Sequence, residues 1–137
     1  MSDLSNVSGN PTIKIIWASL LFTNVVYGFI AKAVLPEPAP VEAAIKIAFA
    51  VLGLMLAVAS TFVPKIVMKP KEDSQLMGVL IVEWAMIEGI CVLGLVLAFM
   101  SGELMLFAPF FVVAVLLMLL AYPGDKKCQK IRERYLD

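Results

Sequence analysis

Hydrophobic residues dominate the chain in four long runs, and each run ends at a polar or proline-rich segment. The runs cover about residues 11–34, 41–63, 76–100 and 103–122. An α-helix rises about 1.5 Å per residue, so about 20 residues cross a hydrocarbon core of roughly 30 Å. The pattern predicts an all-α integral membrane protein, with four transmembrane helices in one domain over residues 1–137 and a basic tail at 123–137.

Capping and proline residues set the expected helix boundaries. Asn10 can cap the first helix, because Pro11 follows at the first helical position. Prolines at alternate positions of residues 35–40 exclude a helix there and predict an extended loop. Pro64 is expected to stop the second helix, and Pro109 to kink the fourth near its start. The four helices are then two helical hairpins, residues 11–63 and 76–122.

Basic residues indicate the orientation in the membrane. Lys65, Lys69 and Lys71 lie in the central connector and five more cations in the tail, whereas residues 35–40 and the turn Ser101-Gly102 carry none. Loops rich in Lys and Arg stay on the cytoplasmic side. The N- and C-termini are therefore predicted to be cytoplasmic, in a bacterial-type inner (cytoplasmic) membrane. The first run is too long for a signal peptide and is expected to be retained.

The two halves share a pattern that an internal duplication would produce. The matched positions are Trp17, Ala18, Gly28 and Pro64 in the first half, and Trp84, Ala85, Gly94 and Pro123 in the second. A duplication would make the hairpins parallel repeats. The other interpretation is coincidence, because apolar helices resemble one another in composition.

Composition supports a membrane protein and argues against several other classes. The chain has 137 residues, of which 61% are hydrophobic, against about 45–50% in soluble domains. Zero net charge argues against a nucleic-acid partner. The chain has no histidine, and its two cysteines, Cys91 and Cys128, are expected to lie far apart. We therefore expect no metal site, no cofactor and no enzyme activity from this chain alone.

Glu88 is the candidate for chemistry, because it falls near the centre of an apolar run. A charge at the bilayer centre costs about 2.5–3.5 kcal/mol on insertion scales. Glu88 can be a proton or cation site, or a protonated carboxyl hydrogen-bonded between helices. Thr23, Asn24 and Tyr27 lie at a similar depth in the first helix and are its expected partners. Glu83 is rotated by about 140° from Glu88, so the two carboxyls do not share a face.

The segment at residues 88–98, which reads EGICVLGLVLA, resembles the ion-binding helix of rotary ATPase subunit c-type proteolipids. In that family a membrane-embedded carboxylate is typically followed by a Gly-Leu-Val-x-Ala run. The resemblance covers one helix in four and implies that Glu88 carries the ion. This chain lacks the family's glycine-rich G-x-G-x-G-x-G helix, and Glu88 lies in the first rather than the second helix of its hairpin.

Small residues recur at helical spacing in the second and third runs and allow close helix packing. They are Ala50, Gly53, Ala57 and Ser60 in the second run, and Ala85, Gly89, Gly94 and Ala98 in the third. They can pack within the four-helix bundle or form a face for self-association.

The tail carries a cluster of cations, Lys126, Lys127, Lys130, Arg132 and Arg134. They can bind an anionic leaflet, dock on a partner, or only anchor the chain on the cytoplasmic side.

Taken with the absence of catalytic motifs, these features predict a small polytopic membrane subunit. It would oligomerise, or assemble with larger membrane subunits, through its small-residue seams. The alternative is proteolipid-like proton or cation translocation through Glu88. A third, weaker hypothesis is a small-molecule transporter built from two repeated hairpins.

Overall fold

The computed structural model describes residues 10–68 and 73–135, and this part of the chain is helical without a β-strand. The helices are α1 (Pro11–Val34), α2 (Ala43–Met68), α3 (Asp73–Ser101), α4 (Leu104–Leu120) and α5 (Asp125–Tyr135). Three segments are long and apolar enough to cross a membrane: Pro11–Val34, Ala43–Pro64 and Gln75–Ser101. α4 is apolar but has only 17 residues, which is at the lower limit for a span.

The helix boundaries follow the sequence at α1 and depart from it at α2. The Asn10 side chain accepts a hydrogen bond from the Thr12 N–H at 2.9 Å, as expected for an N-cap. The prediction that the second helix stops at Pro64 is wrong, because α2 continues to Met68. Proline removes one backbone donor and leaves its own φ helical. In an apolar chain, continuing the helix leaves fewer backbone groups unpaired than ending it there would.

α3 is the central helix of the bundle. It packs against α1, α2 and α4, and α4 also packs against α1. α1 and α2 are consecutive in the chain but share little or no packing in the described part, because α3 lies between them. The second predicted hairpin, α3 with α4, is therefore a packed pair, whereas the first is not.

The proline-rich loop at residues 35–42 lies over the end of α3. The Ala39 N–H donates to the Ser101 carbonyl oxygen at 2.9 Å. Gly102 has a φ of +67°, and a Cβ on it would lie 2.6 Å from the Glu37 carbonyl oxygen. Only glycine suits this turn. An extended loop of this length reaches about 25 Å, enough to pass from α1 to α2 across α3, since packed helices lie 8–10 Å apart.

Side chains of α3 supply much of the core. Leu80, Trp84, Ile87 and Cys91 are buried at helical spacing on one side of the helix. On the opposite side of α3 the side chains are exposed, and this asymmetry forms the site described next.

Candidate functional site

One exposed apolar stripe runs along α3. It consists of Ile81, Val82, Ala85, Val92, Val96 and Met100. Neighbouring positions are one, three, four or seven residues apart, which keeps all six within about 100° of the helix circumference and so on one face. Glu88 lies at the edge of this stripe and is half-buried. It is a carboxyl group beside a surface that is otherwise apolar.

The stripe forms the floor of a cleft between α1 and α2. On one edge, Tyr27 of α1 donates its hydroxyl to Glu88 Oε1 at 3.4 Å. On the other edge, a Cβ on Gly89 would lie 3.6 Å from a methyl group of Leu56 in α2. The proline loop covers one end, where Ala39 bonds to Ser101. We call this feature the α1–α2 cleft.

Of the three candidate partners on α1, the structure places Tyr27 within hydrogen-bond distance of Glu88. The bond is long and therefore weak. Thr23 Oγ1 donates instead to the Ser19 carbonyl at 2.9 Å, and Asn24 Nδ2 donates to the Leu20 carbonyl at 3.2 Å. Both are bonds back to the same helix, which Ser, Thr and Asn side chains commonly make. The fully buried Asn24 Oδ1 has no hydrogen-bond partner within residues 10–68 and 73–135.

Glu83 has a different partner, on the tail helix. Lys127 Nζ lies 3.0 Å from both carboxylate oxygens of Glu83. Glu83 is buried, so the ion pair is largely shielded from solvent. The structure therefore holds Glu83 against α5. The sequence gives no signal for this pair, because 44 positions separate its members.

Both tryptophans form hydrogen bonds with backbone carbonyls at the C-terminal end of α4. Trp17 Nε1 donates to the Met118 carbonyl at 2.8 Å, and Trp84 Nε1 donates to the Ala121 carbonyl at 3.0 Å. The Trp17 and Tyr122 rings pack edge to face, with centroids 4.9 Å apart. The last carbonyls of a helix lack intrahelical donors. The indole N–H groups supply them here, a role that the sequence did not reveal.

This aromatic cluster, Trp17, Trp84 and Tyr122, also locates Glu88 along the bundle. Glu88 lies four residues beyond Trp84, or about 6 Å, and about 20 Å from the end of α3 at Ser101. The carboxyl is therefore closer to the aromatic end than to the proline loop. The sequence pattern had put it near the centre of its run, because the run begins before the aromatic cluster.

Half of the eight small-residue positions are buried within the chain. A Cβ on Gly53 would lie 2.9 Å from the Phe110 ring, and one on Gly94 would lie 2.4 Å from Phe110 Cβ. Phe110 of α4 thus fills the seam between α2 and α3. Ser60 and Ala98 are also buried, Ala57 is half-buried, and Ala50 and Ala85 are exposed.

An apolar cavity of about 250 Å³ lies beside Phe110, between α2 and α4. Its lining includes Ala50, Gly53, Ala57, Pro109 and Val113.

The tail cations fall into two groups. Lys127 is half-buried in its pair with Glu83, whereas Lys126, Lys130 and Arg134 are exposed. The side chain of Arg132 lies outside the described residues. Cys128 is buried against the bundle, and this burial raises the pKa of its thiol. Cys91 is also buried, and both cysteines are free thiols.

The fold and the cleft define a class: a small all-helical protein with helices that could cross a membrane and a carboxyl group in an apolar cleft. Comparison with known protein families, with curated proteins and with solved structures found no match for this chain. Within residues 10–68 and 73–135, no group of three or more His, Cys, Asp or Glu side chains could hold a metal ion.

Proposed function

We propose that this protein is a small polytopic membrane subunit that assembles with another membrane helix, seated in the α1–α2 cleft. The observation that carries the proposal is the position of Glu88 at the edge of the exposed α3 stripe. The partner helix belongs either to a second copy or to a larger subunit. Assembly through the cleft replaces assembly through the small-residue seam, because Phe110 already occupies that seam at Gly53 and Gly94.

All four helices α1–α4 cross the membrane in this proposal. α4 spans 17 residues from Leu104 to Leu120, and the segments Trp17–Val34 and Trp84–Ser101 are each 18 residues long. Each distance corresponds to about 26 Å. Trp and Tyr side chains favour the level of the lipid headgroups. The aromatic cluster then marks one membrane surface, and the proline loop and Gly102 mark the other.

Lipid is a poor neighbour for the half-buried Glu88 carboxyl. Among the described residues the Glu88 carboxyl has one hydrogen bond, from Tyr27 to Oε1, and this bond is long. A partner helix that brings an O–H or N–H donor would satisfy this carboxyl and bury the apolar stripe. Polar contacts between membrane helices average about 0.6 kcal/mol and reach about 1.7 kcal/mol. The preferred partner helix therefore presents small or apolar side chains to the α3 stripe and one hydrogen-bond donor to Glu88.

The test fills the cleft with a bulky side chain. Ala85 is exposed on the cleft floor, so Ala85→Trp should block the partner without disturbing the core. Leu116→Trp is the matched control, because Leu116 is 55% exposed on α4. The mass and composition of the particle in mild detergent are measured by native mass spectrometry.

We expect the wild type and Leu116→Trp to retain a second copy or a larger subunit, and Ala85→Trp to run as a single chain. Glu88→Leu should weaken the complex more than Glu88→Gln, because the amide can still accept a hydrogen bond. A wild-type particle of one chain would overturn the proposal, as would an Ala85→Trp particle that keeps its partner.

The alternative function is proton or cation translocation through Glu88. It is favoured by the buried, unpartnered Asn24 Oδ1, which lies three positions before Tyr27 on the same helix face. An acceptor in this position could bind a water molecule on a path to Glu88. The resemblance of residues 88–98 to proteolipids supports the same function.

Translocation predicts that a carbodiimide labels Glu88 and that labelling slows when the pH is raised or the coupling cation is added. In proteoliposomes, Glu88→Gln should abolish ion flux, whereas Tyr27→Phe should reduce it. Equal ion flux in the wild type and Glu88→Gln would exclude this function while leaving assembly through the cleft untouched.

A further inference from the structure

The tail helix α5 is held against the bundle in one orientation. Lys127 bonds to both oxygens of Glu83 at 3.0 Å, and the neighbouring Cys128 is buried with 6% exposure. Residues 127 and 128 therefore define the face of α5 that contacts α3 and its neighbours.

α5 also carries a row of exposed cations. Lys126, Lys130 and Arg134 are exposed and lie four positions apart, so they line up along the helix. Asp125 and Glu133 are its exposed acids. Glu83 neutralises the charge of Lys127. The three exposed cations outnumber the two exposed acids, so the net charge of these five side chains is positive. We call the three cations the α5 basic row.

The start of α5 lies at the level of the aromatic cluster. α5 begins three residues after Tyr122, whose ring packs against Trp17, and Trp84 bonds to Ala121 in the same region. Trp and Tyr side chains are enriched at the boundary between hydrocarbon and headgroups. In the membrane placement proposed above, the start of this exposed cationic helix lies among lipid headgroups.

We infer that the α5 basic row binds the phosphate groups of anionic phospholipids in the leaflet at the end of the bundle where α1 and α3 begin. Charge complementarity selects this occupant. Basic residues near an anionic surface each strengthen binding by roughly fivefold at low ionic strength. The inference does not depend on a partner in the α1–α2 cleft, and the failure of that proposal would leave it standing.

The experiment measures which lipids the full chain retains. The protein is purified in detergent supplemented with an equal mixture of phosphatidylglycerol and phosphatidylcholine, and native mass spectrometry gives the ratio of bound lipids. The test variant is Lys126→Gln/Lys130→Gln/Arg134→Gln. The matched control, Lys126→Arg/Lys130→Arg/Arg134→Lys, has the same three positions changed and the charge conserved.

The wild type and the charge-conserving control should retain phosphatidylglycerol in preference, and high salt should remove the preference. The glutamine variant should lower the ratio of phosphatidylglycerol to phosphatidylcholine by roughly tenfold or more. An unchanged ratio in the glutamine variant would overturn the inference. So would the loss of a co-purified acidic protein with the lipid ratio unaltered, which would assign the row to a protein partner.

Discussion

At the scale of single residues, the two carboxyls of α3 have separate environments although only five positions separate them. Glu83 is buried in a bidentate pair with Lys127, and Glu88 is half-buried with one long hydrogen bond from Tyr27. The helical rotation of about 140° turns them toward different neighbours. Glu83 therefore attaches the tail helix α5 to α3, whereas Glu88 lies beside the α1–α2 cleft.

Removing the partner of Glu83 should loosen the tail. Lys127→Gln leaves a buried carboxylate without its cation, and we expect a loss of about 1–3 kcal/mol. This is less than the 3–5 kcal/mol of a fully buried pair, because the Lys127 side chain is 20% exposed. In a Cys91→Ser background, alkylation of the buried Cys128 should become faster. The readouts are the rate of labelling and the free energy of unfolding.

The double variant Glu83→Gln/Lys127→Gln tests whether that effect comes from the pair. With no charge left unpaired, it should lose less stability than the two single changes together. Lys126→Gln, at the exposed neighbouring position, should leave the labelling rate of Cys128 unchanged. If the double variant lost as much free energy of unfolding as the two single variants added together, the result would contradict an ion pair between Glu83 and Lys127.

The glycines of α3 offer a second test at this scale. Gly94→Ala places a methyl group 2.4 Å from Phe110 Cβ, an atom that side-chain rotation cannot move away. We expect destabilisation by about 1–3 kcal/mol, because α4 must shift. Gly89→Ala on the same helix meets only an ordinary contact of 3.6 Å with Leu56. It should be neutral or gain up to about 1 kcal/mol from helix propensity. Unfolding in mixed micelles compares the two, and equal stability would contradict the packing of Phe110.

At the scale of elements, α4 depends on its neighbours for the end of the helix. The Tyr122 N–H bonds to the Leu119 carbonyl, and Pro123 has no N–H to give. Met118 and Ala121 thus have carbonyls that the helix itself does not satisfy, and Trp17 and Trp84 donate to them. The matched tryptophans of the two halves meet at the same helix end, whether or not the halves arose by duplication.

Replacing each tryptophan by phenylalanine should fray the end of α4. The ring is kept while the N–H is lost, so a buried carbonyl remains unsatisfied at a cost of about 1–3 kcal/mol. Trp84→Phe should cost more than Trp17→Phe, because Trp84 is fully buried. Faster tryptic cleavage after Lys126 and Lys127 would report the fraying. Phe22→Leu, at an aromatic residue that is 67% exposed on α1, is the control that should change nothing.

At the scale of the whole molecule, the bundle is asymmetric about α3. α4 and α1 pack on one side, α2 packs on another, and the α1–α2 cleft remains between them. The proline loop crosses the end of α3 and joins the two sides through its contacts with Ser101 and Gly102. A two-hairpin bundle with packed first and second helices would have no such cleft. The α1–α2 cleft is consistent with the proposed function, which is assembly with another membrane helix.

Four membrane crossings would put the proline loop and the tail on opposite sides. In a Cys91→Ser/Cys128→Ser background, Glu37→Cys should react with a membrane-impermeant maleimide from outside intact cells. Lys126→Cys should react only after the cells are permeabilised, because its basic residues predict a cytoplasmic tail. Labelling of both positions from the same side would mean that α4, the shortest helix, does not cross.

The sequence alone determined the helical class, the cap at Asn10 and the extended proline loop. It also singled out Glu88 as the candidate functional residue. These depend on local chemistry: hydrophobic run length, the geometry of proline, and the cost of a carboxyl group among apolar residues. The hydroxyl of Tyr27 was among the expected partners because its depth along a helix can be counted from the sequence.

The tertiary structure decided the rest, because it depends on which helix faces which. The pairing of Glu83 with Lys127, the filling of Gly53 and Gly94 by Phe110, and the two tryptophans at the end of α4 join residues far apart in the chain. Apolar helices can pack in several orders with similar loss of lipid contact, and their sequences do not specify one of them. The separation of α1 from α2 by α3, and with it the cleft beside Glu88, follows only from that order.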